Sequence, residues 1–461
     1  MTTTSSINHP PSTLFRTALV CGLGASGEAA ALLLRGEGTE VVVLHSGDSP
    51  ELRTRAAALK AAGVCVQVGL KAVPAGAFEV AVMSPSIPQT SPWVCELQRR
   101  GVPLLAELEL GWSRHRGRTL AVTGSNGKST CVKWLAEALQ AAGLRAAPAG
   151  NYGPPAARIV RDQPELDWLV LEVSTFQLET CQAFRPDIGI LLNIFPNHLD
   201  RHGEMATYAA LKARLFAGTQ RADCCLVPPA LLESVRRQSG GAGRWETFGL
   251  DETADWRFRA GQVWHDGVVV ADLVGTRFDN AILGQAGAAV VAALTAAGPG
   301  PAPAVQAARA FQPLPHRMQP VAEIGGVRFV NDSKATNLTA LAAALTMTGG
   351  RVRLIAGGLL KEKDLGSVKD LLAQKVESVY LIGRAAPDMA QAWSEVVPCR
   401  SCGTLEAAVA EAAADARAGE TVLLSPACAS FDQFKSFEER GDLFAELVVA
   451  LEKMESATKN K

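Results

Sequence analysis

The chain has 461 residues, of which 48% are hydrophobic and 20% charged, and its formal net charge is −1. A single hydrophobic core rarely grows to this size, so we expect about three domains of roughly 150 residues each. The near-neutral charge provides no field that would attract nucleic acid or anionic lipid, which argues against a nucleic-acid-binding protein.

The chain begins with 13 polar residues and continues as an alternation of strands and helices. The polar start lacks the basic and apolar parts of a secretory signal, and no apolar run approaches the ~18 residues that span a bilayer. We therefore expect a cytoplasmic protein without membrane insertion. Strands are predicted at 14–23, 39–46, 64–69 and 78–85, with helices at about 26–36 and 50–62, which is the rhythm of a parallel sheet.

The turn after the first strand reads GLGASG and fits the GxGxxG fingerprint of dinucleotide-binding folds. The acidic residue expected at the end of the second strand is missing, because His45 and Ser46 stand there. We therefore predict a Rossmann-like domain that accepts a diphosphate at Gly24 and Ser26. NAD binding and pure packing are the alternatives.

The segment RTLAVTGSNGKST, residues 118–130, joins a short apolar run to a glycine-rich turn and a helix. Backbone N–H groups of such a turn can face one concavity, and the helix N-terminus adds its positive end. Lys128 can reach the terminal phosphates of a nucleotide, and Ser129 offers a hydroxyl to a phosphate-bound Mg²⁺. The residues assigned to the phosphates are Gly124, Ser125, Asn126, Gly127, Lys128, Ser129 and Thr130. Because Val122 replaces one glycine of a full Walker A loop, we predict a variant ATP-binding loop, against the alternative of an ordinary strand–turn–helix.

Two further polar residues follow apolar strands in the same region. Glu172 ends the run WLVLE, and His198 lies in NIFPNHLD after the run IGILL. Ligands of nucleotide-binding sheets gather at the carboxyl ends of the strands, so both side chains are candidate ligands of Mg²⁺. Lys212 has helical spacing and by itself indicates only a solvated helix lysine.

The remainder of the chain is predicted to form a small antiparallel segment at 256–274, an alanine-rich helix from about Gly287 and a helix ending near Phe311. A third αβ unit follows the proline-rich turn at 312–315, with strands at 327–332, 352–358, 378–383 and 421–426. Cys224 and Cys225 are predicted to lie in a buried strand. The single CxxC pair, Cys399 and Cys402, is interpreted as two incidental thiols, with metal or redox use as the alternative. Residues 457–461 are predicted to form a frayed tail.

Six motifs occur in one order: TGSNGKST, LEVSTFQLE, NHLD with a lysine 14 residues beyond its histidine, LPHRMQ, NDSKATN and LLSPACASFDQFKSFEERG. Together they resemble the Mur ligase family over nearly the whole chain, and the last two are similar to those of its D-glutamate-adding members. The resemblance implies an α/β protein of three domains. These are a Rossmann-like N-terminal UDP-sugar-binding domain (1–107), a central P-loop-type ATP-binding domain (108–313) and a Rossmann-like C-terminal domain for the amino acid (314–461).

The resemblance also implies roles for individual residues. Lys128 would act on ATP, while Ser129, Glu172 and His198 would hold Mg²⁺, with Asn151 bordering the sugar-nucleotide and metal site. Lys212 would be carbamylated by CO₂, which turns a cation into a carboxylate ligand. The residues implied for the third domain are Arg317 and Asp332 for ATP, and Lys334, Thr336, Lys361, Ser430 and Phe437 for D-glutamate.

The implied substrates are UDP-N-acetylmuramoyl-L-alanine and D-glutamate, joined through an acyl phosphate by an enzyme that we expect to act as a monomer. The chain departs from the family pattern at Ser86, in place of a glycine, at Gln319, in place of a glutamate, and at Ala286, Gly287 and Val290, in place of an HNxxN stretch. Two alternatives stay open: another amide-bond ligase of the same group, and a nucleotide-binding regulatory protein that has lost turnover.

Overall fold

The computed structural model describes residues 14–362 and 364–459, which divide into two compact units, one ending at Phe311 and one beginning at Gln312. The predicted frayed tail is wrong up to Lys459, because a helix reaches that residue, while residues 460–461 and the polar N-terminal start lie outside the described residues. None of the helices in these ranges has the length and apolar character needed to cross a membrane.

The first sheet of the first unit is parallel, with the strand order β3-β2-β1-β4-β5. Its strands are β1 (Thr17–Cys21), β2 (Glu40–His45), β3 (Cys65–Val68), β4 (Val80–Met83) and β5 (Leu104–Ala106). Its helices are α1 (Ala25–Gly36), α2 (Pro50–Ala61) and α3 (Pro92–Arg99), and α4 (Glu107–Arg114) leads to the second sheet. The turn between β1 and α1 is so tight that a Cβ on Gly27 would lie 1.9 Å from the carbonyl oxygen of Gly22.

The second sheet has nine strands in the order β14-β13-β12-β11-β10-β9-β6-β8-β7. The strands are β6 (Arg118–Thr123), β7 (Ala146–Gly150), β8 (Trp168–Glu172), β9 (Ile188–Leu191), β10 (Cys224–Val227), β11 (Arg244–Gly249), β12 (Trp256–Arg259), β13 (Gln262–His265) and β14 (Val268–Asp272). The helices are α5 (Lys128–Ala141), α6 (Ala156–Asp162), α7 (Thr175–Leu178), α8 (Leu199–His202), α9 (Met205–Ala213), α10 (Leu232–Ser239), α11 (Ala281–Ala297) and α12 (Ala302–Ala310). The predicted antiparallel segment is confirmed as β12–β14, and Cys224 and Cys225 are confirmed as buried residues of β10.

The predicted start of the alanine-rich helix at Gly287 is wrong, because α11 begins at Ala281. The side chain of Asn280 caps the helix by accepting a hydrogen bond from the Leu283 N–H at 3.0 Å. The glycines in the first turns are packing residues, since a Cβ on Gly284 would lie 2.3 Å from the Phe258 ring. Glycines that would weaken an isolated helix are tolerated where another side chain needs the space.

The second unit contains a six-stranded sheet in the order β15-β16-β20-β17-β18-β19, in which only β15 is antiparallel to its neighbour. The strands are β15 (Gln319–Ile324), β16 (Val327–Asn331), β17 (Val352–Gly357), β18 (Val376–Ile382), β19 (Cys399–Gly403) and β20 (Thr421–Leu424). The helices are α13 (Leu338–Met347), α14 (Lys369–Lys375), α15 (Ala386–Trp393), α16 (Leu405–Asp415) and α17 (Phe437–Lys459). All ten cysteines of the chain are free thiols, Cys399 and Cys402 included.

Glu107 begins α4 and is a buried carboxyl group between the two sheets of the first unit. It accepts a hydrogen bond from the Ala157 N–H at 2.8 Å. Burial raises the pKa of Glu107 to about 7, against the opposing effects of the Ala157 amide and the Ser26 side chain. The folded protein therefore binds this proton more tightly than the unfolded chain, whose carboxyl group has a pKa of 4.5.

We expect Glu107→Gln to become more stable relative to the parent as the pH rises from 5 to 8. Glutamine can still accept the Ala157 hydrogen bond but cannot ionise, whereas ionisation of buried Glu107 costs the parent up to about 3 kcal/mol above pH 7. The measurement is the difference in Tm between the two proteins across this pH range. The matched control is Glu165→Gln, whose parent side chain is 78% exposed, and a Tm difference for Glu107→Gln that is as flat with pH as the control's would contradict the prediction.

Candidate active site

The carboxyl ends of four neighbouring strands, β9, β6, β8 and β7, form one edge of the second sheet. The predicted phosphate loop follows β6, Glu172 ends β8, Asn151 follows β7, and the segment carrying His198 follows β9. Parallel strands place their carboxyl ends together, and ligands of such sheets bind there. The fold thus gathers these predicted residues at one edge.

The phosphate loop is shaped by glycine conformations and by one asparagine. Gly124 and Gly127 have positive φ angles of 152° and 84°, and Gly127 precedes the first turn of α5. The side-chain oxygen of Asn193 accepts hydrogen bonds from the N–H groups of Ser125 at 3.0 Å and Asn126 at 2.9 Å. In this structure, these two amides, which are predicted to face a phosphate, donate to Asn193. Sequence reasoning missed Asn193, although it follows the apolar strand at the same sheet edge.

Lys128 folds back over the loop, where its Nζ donates to the carbonyl oxygens of Gly124 at 2.9 Å and Ser125 at 3.0 Å. Lys212 in α9 is 1% exposed, and its Nζ donates to the same Gly124 oxygen at 2.8 Å. Burial holds the pKa of Lys212 well below its usual value, the Lys128 ammonium lowers it further, and Glu172 opposes both effects. Two amine groups thus meet at one carbonyl oxygen, and the surroundings of Lys212 favour its neutral form.

Glu172 lies beside the loop and is 2% exposed. Its carboxylate accepts hydrogen bonds from the hydroxyl of Ser129 at 2.5 Å and from the side-chain amide of Asn151 at 2.6 Å. Carboxylate, hydroxyl and amide oxygens are the hard ligands that Mg²⁺ prefers, and the set lies beside the helix N-terminus that would receive the phosphates. These residues therefore fit a magnesium ion bound to a nucleotide. Thr130 lies half-buried in the first turn of α5.

His198 has a left-handed backbone conformation, with φ 55° and ψ 30°, and precedes the short helix α8. Its ring packs against Phe176 with a centroid distance of 4.9 Å. Among the residues that the structure describes, no group of three or more His, Cys, Asp or Glu residues could hold a metal ion. The predicted ligand set contains only Glu172 and His198 of those residue types, so it does not by itself form such a group.

In the first sheet, Gly24 precedes α1 and Ser26 lies in the first turn of that helix. Both predicted residues thus lie at the N-terminus of α1, at the carboxyl edge of β1. A Cβ on Gly22 would lie 2.3 Å from the Oγ of Ser84, so the turn after β4 borders the glycine turn closely. A helix N-terminus next to a glycine turn suits a diphosphate.

The predicted residues of the second unit follow three neighbouring strands, β16, β20 and β17. Asp332 accepts hydrogen bonds from the Met318 N–H and the Ser425 hydroxyl, both at 3.0 Å, and Arg317 is half-buried in the preceding turn. The Nζ of Lys334 lies 3.6 Å from the centroid of the Phe437 ring. Lys334 and Phe437 are thereby brought together, as the prediction for a common ligand requires.

The loops carrying Lys361 and Ser430 are joined by a β-bridge. The Leu359 N–H donates to the Ala429 carbonyl at 2.8 Å, and the Ala429 N–H returns a hydrogen bond at 3.0 Å. Lys361 is exposed and Ser430 is buried, while Thr336 is half-buried in the loop after β16. This edge therefore offers an ammonium group beside hydroxyl groups, which suits a carboxylate.

Arg440 is a buried residue of the second unit that sequence reasoning missed. Its guanidinium donates to the hydroxyl of Ser333 at 2.9 Å and to the carbonyl oxygens of Ser333 at 2.8 Å and Cys428 at 3.1 Å. Burial lowers the pKa of Arg440 to about 10. It fixes the loop after β16 to the loop after β20, and its sequence context EERG gives no sign of burial.

Comparisons with known proteins agree with this architecture. Residues 122–290 match the family described as Mur ligase middle domain, and residues 316–428 match the family described as Mur ligase, glutamate ligase domain. A protein of Acidobacterium capsulatum named UDP-N-acetylmuramoylalanine--D-glutamate ligase is 37% identical over 94% of this chain and 96% of its own. A protein of the same name from Frankia casuarinae is 40% identical over 94% of both chains.

Among solved structures, UDP-N-acetylmuramate-alanine ligase from Thermotoga maritima aligns with 95% of this chain and 99% of its own, with a TM-score of 0.58 at 15% identity. This likeness shows the three-domain α/β fold. Because close relatives match the chain along nearly its whole length, the protein belongs to the Mur ligase family. The members of this family are ATP-dependent ligases that form amide bonds.

Proposed function

We propose that this protein joins D-glutamate to UDP-N-acetylmuramoyl-L-alanine with ATP, as a step of peptidoglycan synthesis in the cell wall. The observation that carries the proposal is the end-to-end relationship, at 37% identity over 94% of the chain, to a ligase of that name. Two sheet edges support the proposal. The carboxyl edge of the second sheet suits a nucleotide and Mg²⁺, and the carboxyl edge of the sheet in the second unit suits a carboxylate. Since ATP and sugar nucleotides are cytoplasmic compounds, we also infer a cytoplasmic location.

The proposed reaction activates the substrate carboxylate with ATP, giving an acyl phosphate and ADP. The amine of D-glutamate then attacks the acyl carbon, and phosphate leaves as the amide bond forms. Little covalent work falls to the protein, so catalysis is mainly the neutralisation of charge and the orientation of the reacting groups. Lys128 and the first turn of α5 would face the transferring phosphoryl group. When bound, Mg²⁺ would neutralise phosphate charge beside Ser129, Glu172 and His198.

Lys212 is proposed to carry a carbamate. Its neutral amine attacks CO₂, and loss of a proton leaves an N-carboxylate in place of the amine. The lowered pKa of Lys212, caused first by burial, favours the neutral amine that this step needs. The product would replace an ammonium that repels Mg²⁺ with an oxygen ligand that binds it.

We also propose a role for each of the three domains. The N-terminal domain, 1–107, would bind the UDP-sugar through Gly24 and Ser26, and the central domain, 108–313, would bind ATP. The C-terminal domain, 314–461, would bind D-glutamate through Lys334, Thr336, Lys361, Ser430 and Phe437, and Arg317 and Asp332 would assist with ATP.

Lys361→Ala is expected to raise the KM for D-glutamate about tenfold or more, because it removes a charged partner of one carboxylate. The KM values for ATP and the UDP-sugar should stay within about twofold of the parent, since these ligands are assigned to other residues. Steady-state kinetics with each substrate varied in turn is the measurement. Lys369→Ala is the matched control, because Lys369 is in the same unit and pairs with Glu395 at 3.3 Å. A rise confined to the UDP-sugar KM would show that the assignment of Lys361 is wrong.

The proposed function is tested by ADP release from ATP in the presence of UDP-N-acetylmuramoyl-L-alanine and D-glutamate. Release that requires both substrates supports it. Release with UDP-N-acetylmuramate and L-alanine, or with a folate and glutamate, would identify another ligase of the group. ATP binding without turnover on any of these substrates would favour the regulatory protein suggested by Ala286, Gly287 and Val290.

A further inference from the structure

A partly buried arginine, paired with a glutamate, connects the two sheets of the first unit. The Nε of Arg201, in α8, lies 3.1 Å from the Oε1 of Glu179, which follows α7, and the two side chains are only 16% and 9% exposed. The same guanidinium donates to the carbonyl oxygens of Pro85 at 3.1 Å and Ile87 at 3.3 Å. Arg201 therefore connects the turn after β4 in the first sheet to the segment after β9 in the second.

Arg201 also contacts the residues that support His198. Its guanidinium lies 4.2 Å from the centroid of the Phe176 ring, whose edge packs against the His198 ring. The carbonyl oxygen of His198 accepts hydrogen bonds from the N–H groups of Arg201 at 3.1 Å and His202 at 3.0 Å. Since α8 has only four residues, its position depends on tertiary contacts and not on its own stability.

The turn held by Arg201 borders the proposed diphosphate site, because Ser84 touches the glycine turn after β1. His198 borders the proposed phosphoryl-transfer site. A sugar nucleotide bound at the first site must present its carboxylate at the second, so the distance between the two decides whether the reacting atoms meet. A misplacement of about 1 Å can cost on the order of 10²-fold in rate.

We propose that Arg201, oriented by Glu179, is a positioning residue that fixes the position of the turn at 84–87 relative to His198. It thereby sets the distance between the sugar-nucleotide site and the phosphoryl site. This inference rests on the proposed function. The planar guanidinium is needed because one side chain must serve a carboxylate, two carbonyl oxygens and an aromatic face at once. A lysine ammonium cannot reproduce this arrangement.

The test compares Arg201→Lys, Arg201→Met and Glu179→Gln with the matched control Arg114→Lys. Arg114 forms a similarly buried pair with Glu37, with an Nε–Oε1 distance of 2.9 Å and exposures of 8% and 16%, but its pair lies at α4 and the end of α1. Two quantities are measured: KM and kcat for each substrate, and hydrogen exchange of peptides covering 84–90 and 196–204 in the substrate-free proteins.

Arg201→Lys and Arg201→Met are expected to lower kcat about tenfold or more, to leave the ATP KM within about twofold, and to speed exchange in both peptides. Glu179→Gln should shift both readouts in the same direction by less, and Arg114→Lys should move neither. If Arg201→Met does not fold, the proposal is tested with Arg201→Lys and Glu179→Gln.

An unchanged kcat in Arg201→Lys would overturn the proposal, including the case in which exchange becomes faster, because Arg201 would then only stabilise the fold. An equal rise in the ATP and UDP-sugar KM values would overturn it as well. If the parent protein itself shows no turnover, the proposed function is at fault, and unchanged exchange in both peptides would still refute the connecting role of Arg201.

Discussion

Lys128→Ala is expected to lower the rate of ATP-dependent acyl phosphate formation by about 10²-fold or more, because it deletes a charge that we propose acts on the transferring phosphoryl group. The Nζ of Lys128 rests on the carbonyl oxygens of Gly124 and Ser125, at the start of the loop that would hold that group. The loop itself should survive the change, since its shape depends on the glycines and on Asn193. The measurement is trapping of the acyl phosphate with hydroxylamine in the absence of D-glutamate.

Lys133→Ala is the control for this variant, because Lys133 lies on the same helix and forms its ion pair with Glu137. It should keep nearly full acyl phosphate formation. Lys128→Arg separates charge from shape: it retains the positive charge, and partial activity would show that charge is the main contribution. Near-normal turnover of a folded Lys128→Ala protein would contradict the role given to this residue.

The predicted fold was largely right because the chain alternates buried apolar strands with helices, and that alternation determines a parallel sheet. At α11, the alanine-rich pattern did not show that the helix begins as early as Ala281. The packing of Phe258 against Gly284 is a tertiary contact that no window of sequence contains. The predicted tail at the C-terminus was also wrong up to Lys459, because α17 extends to that residue.

Most of the predicted site residues cluster at sheet edges for a reason that the sequence already contains, namely that they lie at or after the ends of parallel strands. Their partners could not be found in this way. Asn193 binds two loop amides across 67 and 68 residues of sequence. Arg440 is buried and Arg201 is partly buried, whereas composition alone would place both cations in solvent. Arg440 could be suspected only from its place in a motif of the resembled family.

Lys212 was predicted from the residues alone as a solvated helix lysine, and this is wrong. The helix is confirmed as α9, but the side chain points into the protein and is 1% exposed. An unmodified ammonium at this position would face Lys128 at a shared carbonyl oxygen and would repel any metal bound by Glu172. Burial and the Lys128 ammonium together hold the pKa of Lys212 low, so the amine is available for CO₂.

We expect Lys212→Ala to fold and to be nearly inactive, and we expect short-chain carboxylates such as acetate to restore part of its activity. The substitution removes the proposed carbamate and leaves a space in which an acetate carboxylate can take the vacated position beside Mg²⁺. Turnover is measured as a function of acetate concentration, with chloride at equal ionic strength as the salt control and Lys128→Ala as the variant control. Acetate should not restore activity to Lys128→Ala, because that variant lacks a positive charge and acetate supplies a carboxylate. Mass spectrometry under CO₂ should also show a gain of one carboxyl group on the parent that is absent in Lys212→Ala. If acetate has no effect on Lys212→Ala and the parent retains full activity after CO₂ is removed, Lys212 acts as an amine and the carbamate is excluded.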